Sequence, residues 1–268
     1  MLKDNPFLPV AEAKERAHSK YSASGSERWL QCAASVELEE LSPPSKDNAW
    51  SIEGTVAHSV YEALLLGTEV PNHPLVTEDM LWRVSRAVNK VRALHKLYGG
   101  ALMVEKRVWA TFIHEEMFGT TDTIIAPVAP YLGKRTLHIL DYKDGAGHIV
   151  KADKNTQLIQ YSLSVAESYG WELAFDEVKM WILQPRAGDN WYPSWVVPMK
   201  ELRETWLPLW EKGVARVERG GNKPFPGAWC HWCRAKLTCP AKNENRAKQI
   251  VDRFTETPIG ENNVKQER

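Results

Sequence analysis

The sequence has little cysteine, no net charge and no long apolar run. Its 268 residues include 34 Lys+Arg and 34 Asp+Glu, a balance that excludes a polybasic nucleic-acid coat but not a local basic groove. No run approaches the roughly 18–20 apolar residues of a membrane span, and the first residues lack the apolar segment of a signal peptide. We therefore expect a soluble intracellular protein with no membrane partner.

What is present is typical of a globular protein. With 43% hydrophobic residues, the chain can bury a core without disulfides. The length fits one large domain with an extension. We predict a flexible N-terminal lead at residues 1–21, a single domain at 22–240 and a polar C-terminal tail at 241–268. Within the domain we expect a core at about residues 50–200 and a second lobe formed by about 22–45 and 200–240.

Hydrophobic periodicity predicts a sheet between helices. Apolar residues recur at helical spacing, most regularly in residues 77–98, and alternate as in strands elsewhere. Helices are predicted at residues 53–66, 77–98, 156–169 and 200–219, with another beginning in residues 24–32 behind Ser24 or Ser26 as N-cap. Strands are predicted at residues 102–109, 120–128, 136–142, 177–183 and 194–197. This order predicts an α/β fold with the sheet in the middle.

Two carboxylates and a lysine lie at the ends of predicted strands. Asp122 follows Gly119 just inside one strand, and Asp141 ends the next, two residues before Lys143. Oxygen ligands suit Mg²⁺ or Mn²⁺, and residues i and i+2 of a strand share a face. A cation that activates water beside a lysine suits phosphodiester hydrolysis. The alternative is that each aspartate caps a turn and that the lysine is a surface charge.

Two polar pairs have helical spacing. His58 and Glu62 lie four residues apart after Gly54, and Gln157 and Tyr161 lie four apart after Asp141. Each pair therefore shares a helix face. Taken alone, each is also explained by an ordinary helix surface.

In chain order these motifs resemble the RecB-like branch of the PD-(D/E)XK nuclease superfamily. The resemblance covers roughly residues 22–240, and residues 22–32 look like the opening of phage-encoded members. It implies a restriction-endonuclease-like core, with a central mixed sheet flanked by helices. One departure is Thr121, which stands where the superfamily's name has proline.

The resemblance also implies roles for the residues. His58, Asp122, Asp141 and the backbone carbonyl of Tyr142 would bind Mg²⁺ or Mn²⁺, and Lys143 would be the catalytic lysine. Gln157 and Tyr161 would orient the DNA backbone or that lysine. Glu62 matches a variably acidic position and ranks below His58 as a ligand.

The cysteines form a set of their own. Cys230, Cys233 and Cys239 have the C-x2-C-x5-C spacing of a metal or cluster site, and Cys32 lies about 200 residues upstream. Four thiolates suit zinc as well as iron–sulfur chemistry. The family resemblance implies a 4Fe-4S cluster, similar to those of CRISPR-adaptation exonucleases and AddAB-type nuclease domains. The lobe at about 22–45 and 200–240 would then be a helical iron–sulfur lobe.

Residues 200–250 carry 11 Lys/Arg against 5 Glu, and Trp229 and Trp232 lie among the cysteines. Aromatic rings among basic residues suit unstacked single strands, although these tryptophans could instead pack over the cluster. We expect a metal-dependent DNA nuclease, a single-strand-preferring or end-dependent exonuclease of recombination, repair or phage DNA processing. Its compartment would be the cytoplasm of a bacterium or phage-infected cell, and a helicase, annealing or other recombination protein would be its partner.

Two other functions remain open at this point. One is an iron–sulfur DNA-binding or scaffold protein without useful nuclease activity, which the intact Asp–Asp–Lys set disfavours. The other is a zinc-stabilised protein with an unrelated acidic metal site. Iron and sulfide analysis separates the latter from the rest.

Overall fold

The computed structural model describes residues 19–44 and 48–256, with side chains described through residue 248. Two short helices come first, α1 (Ser26–Gln31) after a 3-10 turn and α2 (Ala34–Glu40). Two long helices follow, α3 (Ala49–Leu66) and α4 (Glu78–Tyr98). The rest of the chain alternates strands and helices: β1 (Ala101–Trp109), β2 (Phe118–Ala126), β3 (Thr136–Tyr142), α5 (Thr156–Tyr169), β4 (Glu177–Leu183), β5 (Ser194–Pro198), α6 (Met199–Glu201), α7 (Leu207–Glu218) and α8 (Pro240–Glu256).

The five strands form one mixed sheet in the order β1-β2-β3-β4-β5. Neighbouring strands are antiparallel except β3 and β4, which are parallel and joined by α5. A parallel connection needs such a crossover, because a tight turn cannot return the chain to the same end of the sheet. The predicted α/β fold with a helix-flanked central sheet is confirmed.

The sheet separates two hydrophobic cores. Because side chains alternate along a strand, Ile124 packs on one face and Ile125 on the other, and Ile139 and Leu140 divide in the same way. The first core joins the sheet to α1, α5 and α7, and the second joins it to α3 and α4. Both faces of the central strands are therefore buried, which explains their nearly continuous apolar sequence.

Local signals fix the helix ends. Thr77 caps α4 through Met80, Asn155 caps α5 through Leu158, and α3 ends at Gly67 with a left-handed φ of 69°. The predicted strands at 136–142 and 177–183 and the predicted helix at 156–169 have the observed bounds, and the other three predicted strands differ by one or two residues.

Several predictions need correction. Neither Ser24 nor Ser26 caps α1, since Gly25 is its N-cap and Ser26 is its first residue. The helix predicted at 200–219 contains a π-helical turn, Leu202–Trp206, between α6 and α7. The predicted polar tail is helical as far as Glu256, in α8.

The domain boundaries stay predictions. In the predicted lead, Tyr21 is fully buried, whereas residues 1–18 lie outside the described residues, as do 45–47 in the predicted second lobe and 257–268 in the tail. None of the described helices is both long enough and apolar enough to cross a membrane.

Candidate metal centre and cysteine cluster

The two predicted aspartates meet where β2 and β3 separate. The ladder between these strands stops at the pair Thr123–Leu140, and the next residues along it are Asp122 and Asp141. The Tyr142 amide donates instead to the Asp122 carboxylate, over 2.6 Å. Both aspartates are buried, so the strand ends bring two carboxylates together out of solvent.

A histidine and a further acid complete this group. His58 Nδ1, on α3, lies 3.6 Å from Asp122 Oδ1 and 3.8 Å from Glu105 Oε1. One ligand atom each from His58, Glu105 and Asp122 lie within 4.8 Å of one another, close enough to bind a single ion. We call His58, Glu105, Asp122 and Asp141 the acidic centre.

Glu105 was missed by the sequence analysis, which named Glu62 instead. The register of β1 and β2 pairs Val104 with Thr123 and Lys106 with Thr121, so Glu105 lies opposite Asp122. The sequence carried no signal for it, because the eight residues between the two strands do not fix their register. Glu62 is not a member of the ligand group, although it shares α3 with His58.

Glu105 has an unusual backbone for a strand residue. Its φ is +46°, in the left-handed region that side chains other than glycine seldom adopt. Such strain costs on the order of 1–3 kcal/mol and concentrates at functional sites. Its Oε1 atom is buried and has no hydrogen-bond partner.

Lys143 and α5 close the other side of the centre. Lys143 Nζ lies 2.8 Å from Asp141 Oδ2, and it donates to Gln157 Oε1 over 3.2 Å. Gln157 Nε2 donates to Asp141 Oδ1 over 2.9 Å and, more weakly, to the Tyr161 hydroxyl over 3.4 Å. The residues predicted from two separate motifs therefore form one hydrogen-bonded set.

Gly119, three residues before Asp122, leaves space for the ring of Tyr161. A Cβ atom at Gly119 would lie 2.9 Å from Tyr161 Cε1, closer than such contacts normally are. The backbone of Tyr161 is fixed within α5, so a side chain at Gly119 would have to displace the tyrosine ring.

The charges of the centre suit a bound cation. Burial and Asp141 raise the pKa of Asp122, although His58 opposes them. Burial lowers the pKa of His58, but Asp122 and Glu105 outweigh it and raise that pKa to about 9. Glu105 Oε1 is buried without a hydrogen-bond partner, whereas Asp141 Oδ2 is paired with Lys143. Three carboxylates and an imidazole crowded together away from water are a donor set that a hard cation accepts, so the residues fit Mg²⁺ or Mn²⁺.

Aromatic and charged residues support the centre from behind. The Tyr142 ring stacks on Tyr61 at 5.0 Å, and the Tyr142 hydroxyl donates to Asp144 over 2.8 Å. Asp144 in turn accepts from the buried Arg83, over 2.7 Å. The strand end that carries Asp141 and Lys143 is therefore fixed in position.

The four cysteines lie together, as the spacing predicted. Cys32, Cys230, Cys233 and Cys239 line a single cavity of about 20 Å³ between α1 and the segment before α8. All are free thiols, and all but Cys230 are buried. Backbone amides of Phe225 and Gly227 donate to the sulfurs of Cys32 and Cys230, over 3.3 and 3.4 Å. Amide donors of this kind stabilise thiolates, so the set fits a metal centre or cluster.

Comparison with known proteins identifies the family. A family described as "Protein of unknown function (DUF2800)" matches residues 18–267. The chain belongs to this family. A solved structure entitled "Crystal structure of SSO0001" is 14% identical, with 81% of this chain and 96% of that one covered. Its TM-score of 0.32 is too low to support a conclusion about fold or function.

This DUF2800 chain also has a groove of about 900 Å³. Its wall includes Tyr161, whose hydroxyl accepts from Gln157, and also Arg28 and Arg234. Arg28 donates to Glu39 over 2.6 Å, and Glu39 accepts the Arg234 amide over 2.8 Å. The groove therefore joins Tyr161, next to the hydrogen-bonded set around Asp141, to the cysteine-bearing lobe, and the four residues of the acidic centre do not line it.

Proposed function

We propose that the protein is a metal-dependent DNA nuclease of the RecB-like PD-(D/E)XK type, acting on single strands or DNA ends. The observation that carries this proposal is the acidic centre with Lys143 and Gln157 directly beside it. Acidic metal ligands occur in many proteins, but a lysine and a glutamine bonded to the same aspartate match the resemblance in detail. Recombination, repair or phage DNA processing would be its setting.

His58, Glu105, Asp122 and Asp141 would hold Mg²⁺ or Mn²⁺. The Tyr142 carbonyl stays a further predicted ligand, next to the amide that fixes Asp122. When bound, the ion would supply Lewis acidity toward a phosphate and lower the pKa of a coordinated water.

The chain's own residues would position the phosphate and compensate its charge. Lys143 would bring a positive charge to the pentavalent phosphate as negative charge develops there. Gln157, bonded to both Lys143 and Asp141, would keep the lysine aimed at the site. Tyr161 lies in the groove wall, hydrogen-bonded to Gln157, and would contact the DNA backbone there.

The groove supports a nucleic-acid substrate. The groove is large enough to hold several nucleotides. In its wall, Lys20, Arg28, Arg107 and Arg234 contribute positive charge, and Glu39, Glu40 and Glu116 contribute negative charge. This near balance favours a positioned single strand over broad electrostatic adhesion to duplex DNA. Of the basic residues predicted in 200–250, Arg234 lines this groove.

We also propose that the cysteines bind a 4Fe-4S cluster. The shared cavity and the amide donors to Cys32 and Cys230 support a centre at this place, and the resemblance favours the cluster. Zinc is the alternative that metal analysis would detect. A helicase, annealing protein or other recombination protein stays the proposed partner, and the cytoplasm the proposed compartment.

The nuclease proposal can be tested with end-labelled single- and double-stranded DNA. Anaerobically purified protein is incubated with Mg²⁺, Mn²⁺ or EDTA, beside Asp141→Ala and Lys143→Met. We expect cleavage with a divalent ion, none with EDTA, and a loss of about 100-fold or more in each variant, because one removes a ligand and the other the compensating charge.

Asp153→Asn is the matched control, since Asp153 is an exposed carboxylate outside the acidic centre and should retain full activity. Wild-type protein with intact metal content that cleaves neither substrate would overturn the proposal. DNA binding without cleavage would then favour the iron–sulfur scaffold.

A further inference from the structure

A strip of alternating cations and aromatic rings lies on α4 and the adjoining part of the sheet. The Arg86 guanidinium lies between two tryptophans, 4.9 Å from the Trp82 ring and 4.8 Å from the Trp191 ring. Lys90 Nζ lies 4.1 Å from the Tyr192 ring and 5.2 Å from the Trp181 ring. Lys179 Nζ, on β4, lies 4.5 Å from the ring of the same residue, Trp181. We call these seven residues the cation–aromatic strip.

The strip's cations have no acidic partners in the described part of the chain. Elsewhere arginines and lysines pair with carboxylates, as Arg83 does with Asp144 and Lys134 with Glu177. None of the described ion pairs includes Arg86, Lys90 or Lys179. Burial and the like charge of Lys179 lower the pKa of Lys90, so the two lysines are held together at an electrostatic cost. An anion bound between them would relieve that repulsion.

The strip is also open to solvent. Trp82 is 60% exposed and Tyr192 is 40% exposed, which is unusual for rings that could instead be buried. Val196 pairs with Lys179 across β4 and β5 and is itself exposed, so this corner of the sheet is uncovered. Trp181 is buried, but Trp82 and Tyr192 are exposed and the three cations are partly exposed, so the strip is an accessible surface.

We propose that the cation–aromatic strip binds a single-stranded nucleic acid. Its cations would contact phosphates, and the exposed faces of Trp82 and Tyr192 would stack on bases. The proposal goes beyond the nuclease activity, because none of the seven residues belongs to the acidic centre and binding here requires no metal.

The spacing of the strip favours a nucleic acid over an acidic peptide. Trp82, Arg86 and Lys90 recur every four residues along one side of α4 and so span about 12 Å, enough for about two nucleotides of an extended strand. Flat rings alternating with charges match the alternation of bases and phosphates. An acidic peptide would use the charges but has no need of two exposed aromatic faces.

The test measures binding of fluorescent oligothymidylate by anisotropy in EDTA, where the acidic centre cannot act. We expect Trp82→Ala and Tyr192→Ala each to weaken binding by about fivefold or more, because a stacked base contributes about 1–3 kcal/mol. Arg86→Gln and Lys90→Gln should each reduce the slope of log affinity against log salt by about 0.7, as one phosphate contact is lost.

Trp50→Ala is the matched control, because Trp50 is 76% exposed on α3 and lies outside the strip. It should bind like wild type, and all variants should keep the wild-type melting temperature. Affinities unchanged in every strip variant would overturn the proposal, as would strip-dependent binding of polyglutamate or of phosphatidylserine vesicles in place of oligothymidylate. Because EDTA is present, inactivity of the proposed nuclease would not affect the result.

Discussion

Single residues show how the fold uses burial to set protonation. His138, in the middle of β3, is fully buried and accepts a hydrogen bond at Nδ1 from the Trp181 indole, over 3.1 Å. Its Nε2 atom has no partner. Burial, helped by the nearby Lys179, lowers the pKa of His138 to about 3. The folded protein therefore holds this imidazole neutral over the ordinary range of pH.

This neutral histidine predicts a loss of stability in mild acid. The unfolded chain binds a proton at His138 below pH of about 6.5, whereas the folded chain does so only near its lowered pKa. Stability is thus fully present above about pH 6.5 and is lost as pH falls. His138 alone should account for about 2 kcal/mol between pH 7.5 and pH 5.

Urea unfolding at the two pH values checks this for wild type and His138→Gln. The variant should be less stable than wild type at both pH values. Between pH 7.5 and pH 5, however, its free energy of unfolding should fall by about 2 kcal/mol less than that of wild type. If the free energy of unfolding fell equally in the two proteins between these pH values, His138 would bind a proton to the same extent in the folded and the unfolded chain, and the prediction would be wrong.

Other single residues explain what the sequence could and could not predict about the acidic centre. His58, Asp122, Asp141 and Lys143 belong to short motifs whose order is informative. Glu105 belongs to no such motif, and its left-handed φ arises from a local distortion of β1 that alternation cannot express. Its role depends on the register with β2, which is a tertiary property.

At the level of elements, two helices contain glycine for different reasons. A Cβ atom at Gly54, in α3, would meet no atom within 4 Å. At Gly213, in α7, it would lie 2.6 Å from Leu30 Cδ2 and 2.9 Å from Trp29 Cζ3. Only the second glycine is required for packing, since it lets α1 approach α7.

We expect opposite effects from the same substitution in these helices. Gly54→Ala should raise the free energy of unfolding by about 1 kcal/mol, the difference in helix propensity. Gly213→Ala gains the same propensity but forces atoms into the buried Trp29 ring, and overpacking of this kind costs about 1–3 kcal/mol. Denaturant titration of both variants provides the comparison, and equal stabilisation would contradict the close packing of α1 on α7.

Elements were predicted well where one pattern dominated. The strand at residues 136–142 is rich in leucine and isoleucine up to Asp141, and α4 has a strict helical repeat, so both were found in place. The π-helical turn at Leu202–Trp206 escaped, because it lies inside one continuous helical segment and its two apolar residues are four positions apart, as in an α-helix. The helix α8 escaped because its sequence is mostly polar.

At the scale of the whole molecule, the two ends of the described chain are tied together. Near the start, Lys20 donates to Glu218 over 2.8 Å, and Glu39 bridges Arg28 and the Arg234 amide. The cysteine cavity joins Cys32 to residues about 200 positions later. Closing a loop of that length removes unfolded-state entropy on the order of 4–5 kcal/mol, by analogy with a disulfide.

A bound cluster should therefore stabilise the ends of the chain more than the sheet. We expect purified protein to contain iron and acid-labile sulfide, and Cys233→Ser to lose both. Limited proteolysis of that variant should cut first in residues 22–44 and 219–240, while the strands stay protected, because the sheet keeps its two cores without the cysteines.

Cys239→Ser provides an independent second variant and should give the same early fragments. Zinc in place of iron would replace the cluster by a single-metal centre but leave the proteolysis prediction intact, since either centre would join the same segments. Protein that contains neither metal, and whose terminal segments resist proteolysis as well in the variants as in wild type, would show that the Lys20–Glu218 ion pair and the hydrogen bond from the Arg234 amide to Glu39 suffice to hold the ends together.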